Sequence, residues 1–428
     1  MKINNSFDNQ SKDNFFYGWI IVIAATIIYA ITEIQVLGFG IFVKPIAGDM
    51  GWTREVITRA FGSYMILLGV FGILGGILVD RIGPRLLNLF GCIMIGVGLI
   101  LCSRSDSVAS FYVGFSVFGG IGFAFIFVPN QTTITRWFIA KKGLALGILF
   151  AGGGLGTLIA SPLLQNWIAN HGWRSGYLIL GILVLCLAVP ASLFLKKDPS
   201  VMGLTALGKG GTESAGPIGC RDPEQSVPKI KTLDFSLPEA LRTREFWTCS
   251  VAITLMFLGF FMAQVNMVPH ATDKGVPPSA AALALGLASA FNAFGRIFMG
   301  GISDKIGTKH SFYICLILGA TMLVYLIFVN TSWMMYIFVI FFGLANGGAT
   351  PQMPRLVSEL FGVGSMGSIM GVTFLVTTLG PALGPVLGGA IFDRTGSYMT
   401  AFLTGATTIL IALVLIMLIK VPKKTSEF

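Results

Sequence analysis

A chain of 428 residues that is 54% hydrophobic and only 11% charged is not a soluble composition, because a globular domain carries roughly 25% Asp, Glu, Lys and Arg. Its net charge of +10 fits the positive-inside bias of membrane proteins and does not by itself call for an acidic partner. A soluble enzyme, a nucleic-acid binder and a secreted disulfide scaffold are excluded.

The polar start gives way to an apolar run from Phe15 to Val43. That run is too long for a signal-peptide core and lacks a cleavage pattern, so it reads as a retained spanning helix. Apolar runs of about 20 residues then follow to the end, each long enough to cross ~30 Å of hydrocarbon. Twelve helices are predicted, over about 17–43, 54–79, 86–103, 110–135, 143–168 and 174–195, then 246–269, 279–303, 311–330, 333–354, 367–391 and 398–420.

Taken in order, helix 1 carries Tyr29 and Glu33, and helix 2 carries Tyr64 and ends at Asp80 and Arg81. Helix 4 carries Phe123 and Phe127 at cavity depth. Helix 5 carries Gly152-Gly-Gly-Leu-Gly156, which lacks the strand and lysine of a phosphate loop and instead suits close helix contact. The hydrophilic stretch from Lys196 to Arg244 is rich in Gly, Pro, Ser and charge, and its middle reads as flexible linker. The expected division is a six-helix bundle over 1–197, a cytoplasmic linker over 198–243 and a second bundle over 244–428. In the second bundle Gln264, Asn266 and His270 sit near the end of helix 7 as an external-gate candidate, with His270 read as an exposed loop residue. Helix 8 carries Asn292 and Arg296 and ends at Asp304, and helix 10 carries Asn346.

The two sets of six resemble each other at an offset of 224 residues (300 − 76, 371 − 147, 380 − 156). Gly76-Ile-Leu-Val-Asp80-Arg81-Ile82-Gly83 aligns with Gly300-Gly-Ile-Ser-Asp304-Lys305-Ile306-Gly307, Phe118-Gly119 with Phe342-Gly343, Gly147 with Gly371, and Gly156 with Gly380. A parallel repeat of six helices marks a transporter with two pseudo-symmetric halves around a central cavity. With both termini placed in the cytoplasm, 21 of the 29 basic residues fall at cytoplasmic helix ends and 7 at external ends, leaving Arg296 alone. That asymmetry sets the expected orientation.

The stretch GGILVDRIGPR (75–85) and its degenerate copy GGISDKIGTK (300–309) resemble the signature of the major facilitator superfamily. FYGW (16–19), RWFIAKKGLALGILFAGGGLG (136–156) and the Arg of NAFGR (292–296) resemble the branch of monocarboxylate transporters and oxalate:formate antiporters. The resemblance implies an all-α membrane fold of twelve transmembrane helices in two pseudo-symmetric six-helix bundles. It also implies that Asp80, with Arg81, acts as a latch against helix 11 on the cytoplasmic side. For Asp304 a latch and an ordinary charged cap weigh equally.

An ionisable group inside a spanning helix costs ~2.5–3.5 kcal/mol on the insertion scale and usually marks a polar pathway. Only Glu33 and Arg296 lie far from a boundary, and they belong to opposite halves. Arg296 lies eight residues before Asp304, so a rise of 1.5 Å per residue puts it roughly 12 Å above the cytoplasmic edge, near the midplane. Asn292, one turn away, shares its face. A guanidinium offers a planar fork to a carboxylate, and the family resemblance implies that this Arg anchors the substrate. Glu33 is the proton-coupling candidate. Tyr29, Tyr64 and Asn346 are candidate hydrogen-bonding groups, and Phe123 and Phe127 candidate cavity walls.

Two departures limit the analogy: mammalian-type monocarboxylate carriers have Asp where this chain has Asn292, and a Lys in helix 1 where it has none before Lys44. Helix 11 also lacks the second cation of the oxalate antiporter, and a single central charge suits one carboxylate.

The function expected is plasma-membrane symport of a small monocarboxylate such as lactate, pyruvate or formate with a proton, by alternating access and as a monomer. An oxalate:formate-type anion exchanger is the first rival. A cation or drug exporter using Glu33 is disfavoured by the central Arg. A non-transporting sensor would need a signalling domain larger than the central loop. The six cysteines form no close pair or metal spacing. No catalytic constellation, nucleotide site, metal or cofactor is expected.

Overall fold

The computed structural model describes residues 17–138, 142–202, 207, 235–362 and 366–419. Hydrocarbon offers the backbone no hydrogen bonds, so each apolar run satisfies its own N–H and C=O groups as a helix. The crossings are α1 (Tyr17–Leu37, continuing past Gly38 as Phe39–Met50), α2 (Arg54–Ile82), α3 (Pro84–Ser103) and α4 (Val108–Trp137). The helical stretch Lys142–Leu183 holds two crossings that meet at Gly172, α5 over 142–171 and α6 over 173–192. The second half has α7 (Arg244–Asp273), α8 (Pro278–Ile306), α9 (Thr308–Leu326), α10 (Ser332–Phe361), α11 (Met366–Thr377, then Leu379–Thr395) and α12 (Met399–Leu418). Eleven apolar stretches among the described residues are long enough to span a membrane, and one of them, Leu144–Ser192, bends back at Gly172 to make the twelfth crossing. Both α1 and α10 run further than their apolar patterns suggest, to Met50 and Phe361.

The repeat is visible in the backbone. Gly51, Gly83 and Gly172 have positive φ, and so do Gly275, Gly307 and Gly396, each 224 residues later (275 − 51, 307 − 83, 396 − 172). A side chain at such φ is strained, so glycine is what allows the chain to reverse between crossings at equivalent places in both halves. Gly83 and Gly307 are nearly superimposable in dihedral space, at φ 83°, ψ 163° and φ 86°, ψ 157°. Ser107 caps α4 and Thr331 caps α10 at the same spacing (331 − 107), each hydroxyl accepting from the backbone N–H three residues on.

Large apolar side chains such as Ile159, Leu163, Ile297 and Leu418 point outward, as lipid contact permits, while Trp137, Tyr64 and Tyr177 are buried. Small residues set the helix spacing. A Cβ on Gly154 of α5 would come within 2.8 Å of the Ser289 carbonyl oxygen on α8, and one on Gly286 of α8 within 2.6 Å of Leu158 Cα. The glycine run of α5 therefore packs against the opposite half. Its other glycines face α1, where Cβ atoms on Gly152 and Gly156 would approach Thr26 and Ala30.

One face of the bundle carries the α1–α2, α7–α8 and α11–α12 turns; it is called the far face, since the described chain ends lie at the other. There Asp273 of α7 pairs with Lys44 of α1 at 2.9 Å and with Arg54 of α2 at 2.6 Å. Arg54 also donates to the Tyr398 hydroxyl at 3.0 Å and lies 3.8 Å from the Phe392 ring centroid. Asp393, at the end of α11, accepts from the N–H groups of Arg54 and Glu55 at 3.1 and 2.7 Å. A carboxylate at a helix N-terminus satisfies its free donors and its dipole. The two halves are clasped together at this face.

A second clasp stays within the first half. Trp173 Nε1 donates to Asp49 at 2.9 Å, and Arg174 bonds the same carboxylate and reaches Asp106 at 3.3 Å. The indole N–H of Trp173, followed by Arg174, holds the Asp49 carboxyl below its ordinary range. A depressed folded-state pKa gives stability that is present above the unfolded value of about 3.9 and lost as pH falls through the folded value. Asp49→Asn is therefore expected to lower the Tm of the purified protein slightly at pH 7, with the gap closing below about pH 4. An equal gap at both pH values would show that the carboxylate charge plays no part.

Candidate functional site

Between the halves lies a cavity of about 220 Å³. Of the residues singled out from sequence, Tyr29, Glu33, Phe123, Phe127, Asn292, Arg296 and Asn346 all line it. They come from α1, α4, α8 and α10, so both halves contribute. Tyr64 stands apart. It is fully buried behind the wall, its hydroxyl accepting from Gln35 Nε2 at 3.3 Å and its ring packed near Phe115 and Phe123. Its rotation about α2 turns it into the first half, which depth in the membrane alone does not reveal.

Arg296 is placed by α8, four residues from Asn292 and so on the same face. Its guanidinium carbon lies 5.0 Å from the centroid of the Phe150 ring on α5, an attraction across the two halves. Among the described residues no carboxylate lies within the 4.0 Å of an ion pair with Arg296, and its Nε is buried without a hydrogen-bond partner. Glu33 lines the same cavity and likewise has one buried oxygen, Oε2, with no partner among the described residues. A buried polar atom left unpaired costs about 1–3 kcal/mol, more if charged. The cavity thus holds one donor fork and one carboxyl whose hydrogen bonds the protein leaves incomplete.

Glycine makes room for this pairing of helices. A Cβ on Gly153 would come within 2.7 Å of the Tyr29 ring and 3.2 Å of Glu33 Cγ. A Cβ on Gly347, beside Asn346, would overlap the Asn292 carbonyl oxygen at 1.9 Å. At Gly153 the bare α5 backbone lets the Tyr29 and Glu33 side chains of α1 lie against it, and at Gly347 backbone contact holds α8 against α10, so the polar side chains converge.

The cavity wall is chemically lopsided. The second half supplies Gln264, Ser289, Asn292, Asn346, Thr377 and Thr378 alongside Arg296. From the first half come Val36, Leu37, Met65, Leu68, Phe123 and Phe127, with Tyr29 and Glu33 its polar groups. Phe150, Phe257, Phe261 and Phe374 add four further rings that sequence reading did not single out. The repeat was the available signal, since Phe150 and Phe374 occupy equivalent positions 224 apart (374 − 150).

The gating residues divide. The side chains of Asp80 and Asp304 lie outside the described residues, and Arg81 is exposed at the end of α2. The expectation that His270 is an exposed loop residue is corrected. It is 3% exposed, its Nε2 lies 3.0 Å from the Leu326 carbonyl oxygen, and its ring packs edge-on against Phe402. The cause is that α7 continues to Asp273, past the boundary expected near residue 269. Asn266 is buried and donates to the Met262 carbonyl oxygen, and Gln264 faces the cavity. The contacts between halves at the far face are instead made by Lys44, Arg54, Asp273 and Asp393.

Twelve crossings among the described residues, in two equivalent halves around a polar-centred cavity, define a membrane transporter. Residues 19–297 and 249–428 match the Major Facilitator Superfamily, and the chain belongs to it. It is similar to monocarboxylate transporter 12 of Rattus norvegicus, 27% identical over 367 residues that cover 82% of this chain and 74% of that one. Monocarboxylate transporter 2 of Mesocricetus auratus is 26% identical over 92% of this chain and 82% of its own. An uncharacterized MFS-type transporter of Bacillus subtilis, YcxA, is 26% identical over 84% and 85%. These relatives bear out the resemblance to the monocarboxylate branch. Among solved structures, a bacterial homolog of the human lysosomal transporter Spinster, inward-facing and occupied, has the same fold, with a TM-score of 0.68 over 94% of this chain and 95% of that one at 16% identity.

Proposed function

We propose that this protein carries a small monocarboxylate, of the lactate, pyruvate or formate kind, together with a proton across the plasma membrane by alternating access. In this reading both termini are cytoplasmic, the far face is external, the protein works as a monomer, and the two bundles either side of the 198–243 linker are the moving bodies. The observation that carries it is Arg296: a guanidinium in the central cavity with no carboxylate of the protein paired to it among the described residues. A fixed cation with an unused donor fork binds a carboxylate in bidentate fashion, and the relatives named as monocarboxylate transporters point the same way.

Glu33 supplies the coupling. It shares the cavity with Arg296 but forms no ion pair with it. A protonated Glu33 leaves the guanidinium free for an incoming anion, and an ionised one competes for it. Proton and anion then move together as a neutral load, which avoids carrying a net charge through the bilayer. In proteoliposomes, an inward proton gradient is expected to drive accumulation of labelled lactate. Glu33→Gln is expected to cut that accumulation at least tenfold while sparing lactate–lactate exchange. Accumulation that ignores the proton gradient but follows preloaded counter-anion would replace symport with exchange.

A further inference from the structure

The two walls of the cavity differ in kind, and this bears on which acids fit. On the second half, Arg296 and its neighbours Asn292 and Asn346 form a polar end suited to a carboxylate and an oxygen on the adjacent carbon. Gln264, Ser289, Thr377 and Thr378 add hydroxyl and amide groups on the same half, and Glu33 an acid on the other, but the largest surfaces left are aromatic rings suited to an apolar partner. Tyr29 packs 6.0 Å from Phe123 and 6.1 Å from Phe127 between ring centroids, and Phe127 lies 6.5 Å from Phe374 of the opposite half, with an interplanar angle of 19°. Phe257 and Phe261 face the same space from α7.

A two- or three-carbon acid has almost no apolar surface to set against these rings. Water would have to fill the remainder, where aromatic walls offer it few hydrogen bonds. An aromatic body instead removes apolar surface from water at about 25 cal/mol per Å², and offset or edge-on ring pairs add about 0.5–1.5 kcal/mol each. The cation is also oriented for this. Arg296 lies against Phe150, so a carboxylate meets it away from that ring, with its organic body left among the others.

We infer that the site prefers monocarboxylates with an aromatic body, the carboxylate held by Arg296 of the second half and the ring packed on Phe123 and Phe127 of the first. A substrate held this way touches both halves at once, so its binding energy is available to the closure that transport requires. This inference rests on the monocarboxylate reading and narrows it. Phenylpyruvate and pyruvate share the same 2-oxo acid head and differ by one phenyl group, which makes them the natural pair of probes.

The experiment measures binding of both to the purified full chain by ligand-induced rise in Tm and by titration calorimetry. Phenylpyruvate is expected to bind at least tenfold more tightly than pyruvate. Phe127→Ala combined with Phe123→Ala should reduce that ratio to about threefold or less, which a general loss of fold would not do selectively. The unliganded Tm of the double variant reports folding separately. Pyruvate binding as tightly as phenylpyruvate, or a ratio unchanged in the variant, overturns the aromatic preference and leaves the monocarboxylate reading standing. Binding of neither acid overturns both. Competition by phenylacetamide, which keeps the ring and lacks the charge, is expected to be at least a hundredfold weaker; equal competition would overturn the proposed orientation.

Discussion

Arg296→Ala is expected to abolish uptake of labelled lactate into proteoliposomes while lowering the stability of the unliganded protein only slightly. Truncating one side of a buried, hydrogen-bonded charge pair costs about 2–5 kcal/mol, which at 1.4 kcal/mol per decade is roughly a 30- to 4000-fold loss of affinity. The stability half of the expectation is specific to this arginine. Its Nε has no partner and no carboxylate pairs with it among the described residues, so removing it strands no charge and gives up only the contact with the Phe150 ring. Arg54 is the contrast: it holds Asp273, Tyr398 and the Phe392 ring, and Arg54→Ala should lower the Tm. Arg296→Lys keeps the charge but loses the planar fork, and uptake should fall by an intermediate factor of about 10 to 100. Uptake by the alanine variant at the normal rate would show that the carboxylate docks elsewhere.

The architecture was legible because it is written in periods. Apolar runs of helix length gave the crossings, and the offset of 224 gave the halves; the paired glycines at positive φ are its physical basis. Arg296, Asn292 and Glu33 could be found because a charged or amide group deep in an apolar run needs a polar cavity to face. Rotation about a helix was less legible. Tyr64 and Tyr29 both lie well inside their helices, yet one is turned into its own half and the other into the cavity. Phe150 and Phe374 were hidden among 35 phenylalanines, and only their contacts set them apart.

The far-face clasp was least legible of all. Lys44, Arg54, Asp273 and Asp393 each read singly as an ordinary charged helix end, and the sequence separation between partners, such as 54 and 273, carries no recognisable spacing. Tertiary pairing across two halves leaves no local signature. The same is true of the His270 environment, which depends on where α12 packs against α7.

The clasp also depends on backbone contact, which leads to the second large effect. A Cβ on Gly62 of α2 would lie 2.5 Å from the Ala382 carbonyl oxygen of α11. Further along the same pair of helices, one on Gly389 would lie 2.7 Å from Thr58 Oγ1, and between α1 and α7 one on Gly40 would lie 2.7 Å from the Val265 carbonyl oxygen. These distances are well inside van der Waals contact and the obstructing atoms at Gly62 and Gly40 are backbone, so a side chain there must push the halves apart. The branched side chain of valine has little rotamer freedom in a helix with which to escape. Gly62→Val should therefore block closure of the far face, which under alternating access halts turnover after binding from that side. Lactate uptake is expected to fall more than tenfold, while the ligand-induced rise in Tm persists because the cavity residues are untouched. Gly48→Val is the matched control, since a Cβ at that position meets nothing within 4 Å, and it should transport normally. Normal transport by the Gly62 variant would mean that the close approach of α2 and α11 is not part of the cycle; loss of both transport and ligand stabilisation would mean that the contact holds the fold itself together.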